Sequence, residues 1–292
     1  VLFRSTTPNL RLGSRFGMDL HRDFRFSDYR RYCGWFYVLK SPVQNSLPRS
    51  AVLLNQRKSF RLKQQWHSQS MMDSSFQHIL PSKVEIQKFP RFQNLPKQAI
   101  HVIQNLEQCE AIRAELEQVS IFGFDSESKP TFQVGEVSTG PHLIQLASVE
   151  QAYLFQMSPP IWSFLAPFLA NPDQLKVGFG LKNDTHLFRK KGFELKGVVE
   201  LSKCFASFGL TNPVGIKNAI ALLFQLNFPK SKKVSTSNWA RKILTPEQID
   251  YAAADAYAAL LVFEELRRLE RLPKDISKEL EKTTKPCRHE KL

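Results

Sequence analysis

The sequence has no long hydrophobic run and no paired cysteines. Its longest apolar stretches, such as 220–224, fall far short of the roughly 18 residues that a membrane-spanning helix requires. Its four cysteines, Cys33, Cys109, Cys204 and Cys287, are far apart and form no CxxC pair. These absences argue against a membrane protein, a zinc knuckle and a disulfide framework. They favour a soluble globular protein of an intracellular, reducing compartment.

Acidic residues are scarce in the first 70 residues of this 292-residue chain. That segment holds 13 Lys and Arg against three acids, a net charge of +10, whereas the remaining 222 residues hold 28 basic and 24 acidic residues, a net charge of +4. The formal charge of +14 for the whole chain suggests a polyanionic partner such as nucleic acid. Most of that charge, however, lies outside the part of the chain that has a regular pattern.

Residues 1–80 are rich in Arg, Ser and Gln and show no sustained period of 2 or 3.6, which predicts a basic, disordered leader. Three explanations remain open for it: a transit peptide for a mitochondrion or plastid, a nucleic-acid-binding arm, or sequence upstream of an alternative start at Met71 or Met72. A nuclear location is a further alternative to an organelle. Residues 81–97 are predicted to be a linker.

From residue 98 onward, apolar residues recur at the intervals of helices and strands. Helices are predicted over 99–119, 162–169, 184–191, 214–226 and 246–269, and strands over 119–124, 142–147, 152–155, 175–179 and 198–201. The last helix starts with a capping box, with Thr245 as N-cap, Pro246 at the first position and Gln248 at the third. This order predicts an α/β domain with a mixed five-stranded sheet flanked by helices over 98–272, followed by a charged tail over 273–292.

A D-x-E pair stands at the end of the strand predicted before residue 125. Side chains at i and i+2 leave a strand on the same face, so Asp125 and Glu127 are expected to point the same way. Two adjacent carboxylates repel each other and are best tolerated when a cation lies between them. The alternative is a pair of solvated residues at a strand end.

Two further acids follow in the regular part of the chain. Tyr251 and Asp255 are four residues apart on the long predicted helix, hence on one face at the margin of its apolar stripe. A carboxylate beside an apolar seam needs a partner or a metal, unless both residues simply lie at the helix surface. Asp184 follows a strand and two glycines at the start of a helix, where Asp is also a favoured N-cap.

Four converging carboxylates are what a pair of divalent cations requires. Hydrolysis of a phosphodiester by two metal ions uses oxygen ligands that hold the two cations about 3.5–4 Å apart. The set Asp125, Glu127, Asp184 and Asp255 occurs in the order strand, helix start, helix, at separations expected of one domain. The sequence therefore predicts a metal-dependent nuclease.

The segments around these acids resemble a known family. They are Gly123-Phe124-Asp125-Ser126-Glu127, the stretch 178–184 with Leu187 after it, and Tyr251-Ala252-Ala253-Ala254-Asp255-Ala256-Tyr257, with 142–147 and Ser237-Asn238-Trp239 as flanking segments. They look like the three exonuclease motifs of the DEDDy class. Over residues 98–270 the chain is similar to Werner-type exonuclease domains and to proteins called 3′-5′ exonuclease domain-containing protein 2, more than to ribonuclease D.

The resemblance implies a ribonuclease-H-like fold and two Mg²⁺ or Mn²⁺ ions. It implies stepwise hydrolysis from the 3′ end of single-stranded or recessed nucleic acid, with release of nucleoside monophosphates. Carried over to this chain, it makes metal ligands of Asp125, Glu127, Asp184 and Asp255. It assigns to Tyr251 the role of orienting the attacking water through its phenol group.

A basic segment precedes the Tyr251 helix, and its cations are candidate phosphate ligands: Lys230, Lys232, Lys233, Arg241 and Lys242. The alternative is a solvated basic loop. The favoured function is a DNA-directed or dual DNA and RNA exonuclease, as in DNA repair. The alternatives are an RNA-processing exonuclease of the ribonuclease D type and a non-catalytic nucleic-acid-binding module, against which the complete acidic set argues. The sequence identifies no helicase or repair partner.

Overall fold

A mixed six-stranded sheet forms the centre of the part of the chain that the structure, a computed structural model, describes: residues 80–131, 135–136 and 139–283. In spatial order the strands are β1 (Ile100–Ile103), β4 (Ala152–Gln156), β3 (Leu143–Ala147), β2 (Ile121–Glu127), β5 (Leu175–Gly178) and β6 (Val198–Glu200). Strand β3 is antiparallel to both β2 and β4, and the other pairs are parallel. The predicted leader and its Met71 or Met72 start lie outside the described residues, apart from Leu80.

Nine helices occur in the described ranges: α1 (Lys83–Lys88), α2 (Leu106–Ala111), α3 (Arg113–Glu117), α4 (Pro159–Ala170), α5 (Lys182–Lys190), α6 (Ile216–Phe224), α7 (Lys232–Ser235), α8 (Pro246–Arg268) and α9 (Lys274–Thr283). Helix α8 starts with the predicted capping box, because the Thr245 side chain accepts from Gln248 N and the Gln248 side chain accepts from Thr245 N. Across these ranges no helix is both long and apolar enough to span a membrane.

The prediction of a helix over 99–119 is wrong at its first half, and this error is why five strands were expected instead of six. Residues Ile100–Ile103 form β1, and the helical part begins only at Leu106. The spacing of Ile100, Ile103 and Leu106 mimics a helix, yet the segment is rich in β-branched residues. Ile100 and Val102 pack on one face of the sheet and Ile103 on the other, which is the period of a strand.

Helices cover both faces of the sheet. Phe122 and Phe124 of β2 pack in one cluster with α4 and α5, whereas α6 and α8 pack against the opposite face. Because successive side chains of a strand alternate, Gly123 and Asp125 face α8. The middle of β2 is therefore buried on both sides, and its acidic end lies beside the helix that carries Asp255.

Gly123 allows α8 to approach β2 unusually closely. A Cβ atom at this position would lie 1.9 Å from the carbonyl oxygen of Ala256 and 3.0 Å from Cβ of Leu260. No side chain larger than hydrogen fits at that separation without movement of the helix or the strand. The missing side chain thus sets the distance between the residues on β2 and those on α8.

Lys176 of β5 is a buried lysine on the α4 side of the sheet, opposite to the face that carries the acidic residues. It is 1% exposed, and its Nζ donates to the carbonyl oxygens of Phe168, at 3.0 Å, and Asn171, at 2.8 Å, where α4 ends. Burial lowers its pKa to about 7. A lysine in an unfolded chain has a pKa of roughly 10.4, so between these two values the unfolded state holds a proton that the folded state lacks.

The stability contributed by Lys176 should therefore rise with pH across that window. We expect Lys176→Met to gain most over the wild type below pH 7, where the wild type holds a buried charge, and to lose that advantage as the pH approaches about 10. Thermal melts of both proteins across this range measure the difference. A difference in Tm that does not vary with pH would contradict the assignment.

Candidate active site

Three of the predicted acids meet at the end of β2. Asp125 and Glu127 come from β2 and Asp255 from α8, and one carboxylate oxygen of each lies within 4.8 Å of the others. The two β2 residues share a face, as the i and i+2 spacing predicted. Asp255 reaches them because α8 lies against Gly123.

Tyr251 and Asp255 occupy consecutive turns of α8 and are almost fully buried, with 7% and 2% exposed. They are not surface residues, so that alternative is excluded. Oδ2 of Asp255 accepts from Nζ of Lys230 at 3.1 Å, and the same ammonium lies 5.6 Å from the centre of the Tyr251 ring. The Tyr251 ring also packs on the buried Trp239, at 5.9 Å between ring centres.

Asp184 lies beside this cluster rather than within it. It occupies the third position of α5, whose N-cap is Leu181, so Asp184 is not the helix cap. One of its carboxylate oxygens accepts from the hydroxyl of Ser126, the residue between Asp125 and Glu127. Ser126 therefore joins the strand that carries two acids to the helix that carries the fourth.

Burial and mutual repulsion raise the pKa of these acids. The pKa of Glu127 is raised to about 9, first by burial and then by the charges of Asp125 and Asp255. The pKa of Asp125 is also raised well above its ordinary value, first by burial and then by Asp255 and Asp184. Such a cluster of carboxylates is costly unless cations or protons neutralise it.

The unpaired polar atoms of the described residues concentrate at the same place. Four buried side-chain atoms lack a hydrogen-bond partner there: Nε2 and Oε1 of Gln145, the hydroxyl of Tyr251 and Oδ1 of Asp255. Gln145 is the direct cross-strand neighbour of Asp125. The site therefore combines carboxylates with buried oxygen atoms that lack a hydrogen-bond partner. Such oxygen atoms are the ligands that a hard divalent cation prefers.

A cleft of about 590 Å³ adjoins the acids and is lined in part by Phe179, Gly180, Lys217 and Lys230. Its size falls within the range of roughly 300–1,000 Å³ that is common for ligand sites. Lys230 belongs both to this cleft and to the ion pair with Asp255. Lys230 thus connects the cleft to the acidic cluster, although none of the four acids lines the cleft itself.

The other predicted phosphate ligands lie apart from the cluster. Lys232 and Lys233 are exposed on α7, and Arg241 and Lys242 are exposed in the loop that precedes α8. The backbone carbonyls of Arg241 and Lys242 accept from the side chains of Gln156 and Gln104 respectively, which fixes this loop to the sheet edge. Among the five cations, the structure brings Lys230 to the acids.

Three polar residues at the site were not assigned a role from the sequence. Ser126 was visible inside D-x-E, and Gln145 could have been noted as a polar residue inside an apolar strand. Glu200 ends β6 and accepts hydrogen bonds from the turn that precedes α5. Only the pairing of β5 with β6 brings Glu200 to that turn, so no local pattern identifies it.

The model of one protein family, described as 3′-5′ exonuclease, matches residues 100–270, which include all of these acids and Tyr251. The chain belongs to the 3′-5′ exonuclease family. The resemblance drawn from the sequence is thereby confirmed. The family is metal-dependent, in agreement with the acidic cluster of this exonuclease domain.

Curated relatives match part of the chain. It is 29% identical over 199 residues to the exonuclease mut-7 homolog of Aedes aegypti, covering 60% of this chain and 27% of the relative. It is 31% identical over 170 residues to the bifunctional 3′-5′ exonuclease/ATP-dependent helicase WRN of Mus musculus, covering 55% of this chain and 12% of the relative. The chain thus spans about a quarter or less of these relatives.

A solved structure supports the fold of the exonuclease domain. The Nibbler EXO domain of Aedes aegypti superposes with a TM-score of 0.54 at 23% identity and covers 66% of this chain and 100% of that domain. The ribonuclease-H-like α/β fold expected from the resemblance is confirmed, with six strands instead of five.

Divalent cations should bind this exonuclease domain more tightly as pH rises, because the cluster must release protons first. In the metal-free protein the folded-state pKa of Glu127, about 9, exceeds its unfolded value of roughly 4.3, so the metal-free fold loses stability as pH rises toward 9. We expect Mn²⁺ to raise Tm more at about pH 8.5 than at about pH 6.5. Thermal melts with Mn²⁺ and with EDTA test this. An equal shift at both pH values would contradict it.

Proposed function

We propose that this chain is an active exonuclease that removes nucleoside 5′-monophosphates one at a time from the 3′ end of single-stranded or recessed nucleic acid. DNA is the favoured substrate, on the strength of the similarity to Werner-type domains, and RNA is the second. The observation that carries the proposal is the convergence of Asp125, Glu127 and Asp255, with Asp184 and Tyr251 beside them, on one end of the sheet.

Asp125, Glu127, Asp184 and Asp255 would hold two divalent cations, Mg²⁺ or Mn²⁺. Such a pair activates water and stabilises the leaving oxygen of the phosphodiester. The raised pKa values of Asp125 and Glu127 support this assignment, because burial and mutual repulsion disfavour their charged forms unless a cation neutralises them. The unpaired Oδ1 of Asp255 is a further free ligand atom.

Tyr251 is suited to orienting the attacking water. Burial and the neighbouring Asp255 raise the pKa of its phenol, so the group stays neutral and acts as a hydrogen-bonding group rather than as a base. Its hydroxyl is buried beside Asp255, where it can contact a nucleophile held by the acids. The packing of its ring on Trp239 fixes the direction of the hydroxyl.

The cleft supplies a path for the nucleic-acid strand. Lys230 stands between the acids and the cleft, and Lys217 is exposed at the start of α6 on the same cleft. Cations at both places attract phosphates without reading a base sequence. The exposed Lys232, Lys233, Arg241 and Lys242 could extend this electrostatic attraction along the surface.

The proposal is tested with 5′-labelled DNA and RNA oligonucleotides of one sequence, incubated with Mn²⁺, Mg²⁺ or EDTA. We expect a metal-dependent ladder that shortens from the 3′ end on DNA, with mononucleotides as products. A ladder on RNA alone would support the ribonuclease D type of function. Retained binding of intact substrate in all three conditions would contradict catalysis and support a non-catalytic module.

A further inference from the structure

The turn that joins β5 to α5 lacks a local cap. It contains Gly180, whose φ of 77° lies in the left-handed region, and the N-cap residue Leu181 has an apolar side chain that cannot accept a hydrogen bond. Backbone N–H groups at the start of a helix require acceptors, which are usually supplied by a Ser, Thr, Asp or Asn at the N-cap. This turn must obtain them from elsewhere in the fold.

Glu200, on the neighbouring strand, supplies acceptors for two of the N–H groups of this turn, those of Gly180 and of the N-cap Leu181. Its Oε1 accepts from Gly180 N at 3.0 Å and its Oε2 from Leu181 N at 2.8 Å. Oε1 also accepts from Ser202 N at 3.1 Å, which holds the carboxylate at the end of β6. Charged acceptors form stronger hydrogen bonds than neutral ones, so the two bonds from Gly180 and Leu181 hold the turn against β6.

This arrangement bears on Asp184, three residues after Leu181. Asp184 is held from one side by the hydroxyl of Ser126 and from the other by the helix whose start Glu200 fixes. Both oxygens of Glu200 already accept backbone N–H groups, so Glu200 is not placed to be a fifth acidic ligand of the site. Its effect on the reaction would pass through the position of Asp184.

We propose that Glu200 is a positioning residue for the exonuclease reaction: by holding the turn before α5, it sets the distance of Asp184 from Asp125 and Glu127. The inference rests on the proposed function. It extends the catalytic machinery to β6, a strand that carries none of the acids implied by the family resemblance. Residues that orient metal ligands typically alter metal affinity or activity by about 10–100-fold when they are replaced.

The test compares Glu200→Ala and Glu200→Gln with the control Glu194→Ala. Glu194 is an exposed acid that pairs with Lys196 and touches none of the site. We expect Glu200→Ala to lower kcat on a DNA oligonucleotide by about 10-fold or more with little change in KM, and to raise the Mn²⁺ concentration for half-maximal activity. Glu200→Gln, which keeps one carbonyl oxygen, should lie between Glu200→Ala and the wild type. Glu194→Ala should match the wild type.

A double-mutant cycle separates positioning of Asp184 from a general loss of structure. The readout is the Mn²⁺ concentration that gives half of the maximal thermal shift, measured with and without Glu200→Ala in the wild-type and Asp184→Asn backgrounds. We expect Glu200→Ala to weaken Mn²⁺ binding in the wild-type background and to change it by less than about twofold in the Asp184→Asn background. Equal effects in both backgrounds, or no effect in either, would overturn the proposal.

Two outcomes keep the inference separate from the proposed function. If wild-type protein binds Mn²⁺ but degrades no nucleic acid, the proposed function fails, while the Mn²⁺ cycle still decides the role of Glu200. If Glu200→Ala does not fold, Glu200→Gln takes its place in the cycle, because it preserves the size of the side chain. A Glu200→Gln protein with wild-type kcat and wild-type Mn²⁺ affinity would overturn the positioning role.

Discussion

Asp125→Asn is expected to lower kcat by about 10³-fold or more while making the metal-free protein more stable. The activity is lost because an amide at this position is a poorer cation ligand than a carboxylate, and because Asp125 is one of the three acids that converge at the site. Asp125 borders Glu127 and Asp255 within the cluster, and its charge, together with that of Asp255, raises the pKa of Glu127. Replacement of Asp125 therefore affects both of the other acids in the cluster.

The gain in stability has the same origin as the loss of activity. Asp125 is an acid whose pKa burial and neighbouring carboxylates raise well above the ordinary value, so its charged form destabilises the metal-free fold. An asparagine removes this charge at nearly unchanged volume. The gain should grow as pH rises above about 4, because unfolded wild-type chains then lose the proton that the folded state retains on Asp125. Melts in EDTA and the nuclease assay, performed on the same preparations, measure both effects.

Asp173→Asn is the matched control, since Asp173 is exposed and lies outside the site. It should leave both kcat and the metal-free Tm unchanged. An Asp125→Asn protein that keeps wild-type activity would place the reaction elsewhere in the molecule. One that is inactive but less stable in EDTA would show that the acids are neutralised by something other than protons in the metal-free state.

Gly123→Ala is expected to damage both fold and catalysis. The new Cβ would lie 1.9 Å from the Ala256 carbonyl oxygen, which is backbone and cannot swing aside. Overpacking of a well-packed core typically costs about 1–3 kcal/mol and sometimes more, which for a domain of this size lowers Tm by roughly 2–12 °C. Relief of the contact requires α8 to move away from β2, and a shift of about 1 Å between catalytic groups can cost about 10²-fold in rate.

Gly215→Ala is the control for the loss of a glycine. Gly215 precedes α6 with φ of −77°, which any residue adopts, and a Cβ there would have nothing within 4 Å. We expect a decrease in Tm of roughly 2 °C, because alanine is a poorer N-cap than glycine but causes no steric clash at this position. Melting curves of both variants provide the comparison; kcat is measured for Gly123→Ala only, because Gly215 lines the cleft. If Gly123→Ala has the same Tm as the wild type, the close approach of α8 to β2 does not require a glycine at position 123.

Local rules predicted much of the architecture. The apolar period and the capping box at Thr245 predicted α8 to within one residue of its observed end, because both depend on contacts inside the helix. The prediction failed at β1, where Ile100 and Ile103 have a spacing compatible with a helix. Pairing with β4, a contact between distant parts of the chain, decides the matter in favour of a strand.

The candidate site divides in the same way. The D-x-E pair predicted two carboxylates on one face, because the alternation of a strand is a local property. The sequence could not show that Lys230 pairs with Asp255, that Ser126 holds Asp184, or that Glu200 holds the turn before α5. Each of these contacts joins residues from different elements.

The sequence by itself identified the candidate catalytic residues and the order in which strands and helices present them. Only the tertiary structure decided how close those residues come, since that depends on the packing of α8 against Gly123 and on the parallel pairing of β2, β5 and β6. The physical reason is the distance along the chain over which each interaction acts. Periodicity and capping act within a few residues, whereas the repulsion among buried carboxylates, and hence their raised pKa values, appears only when distant segments are brought together.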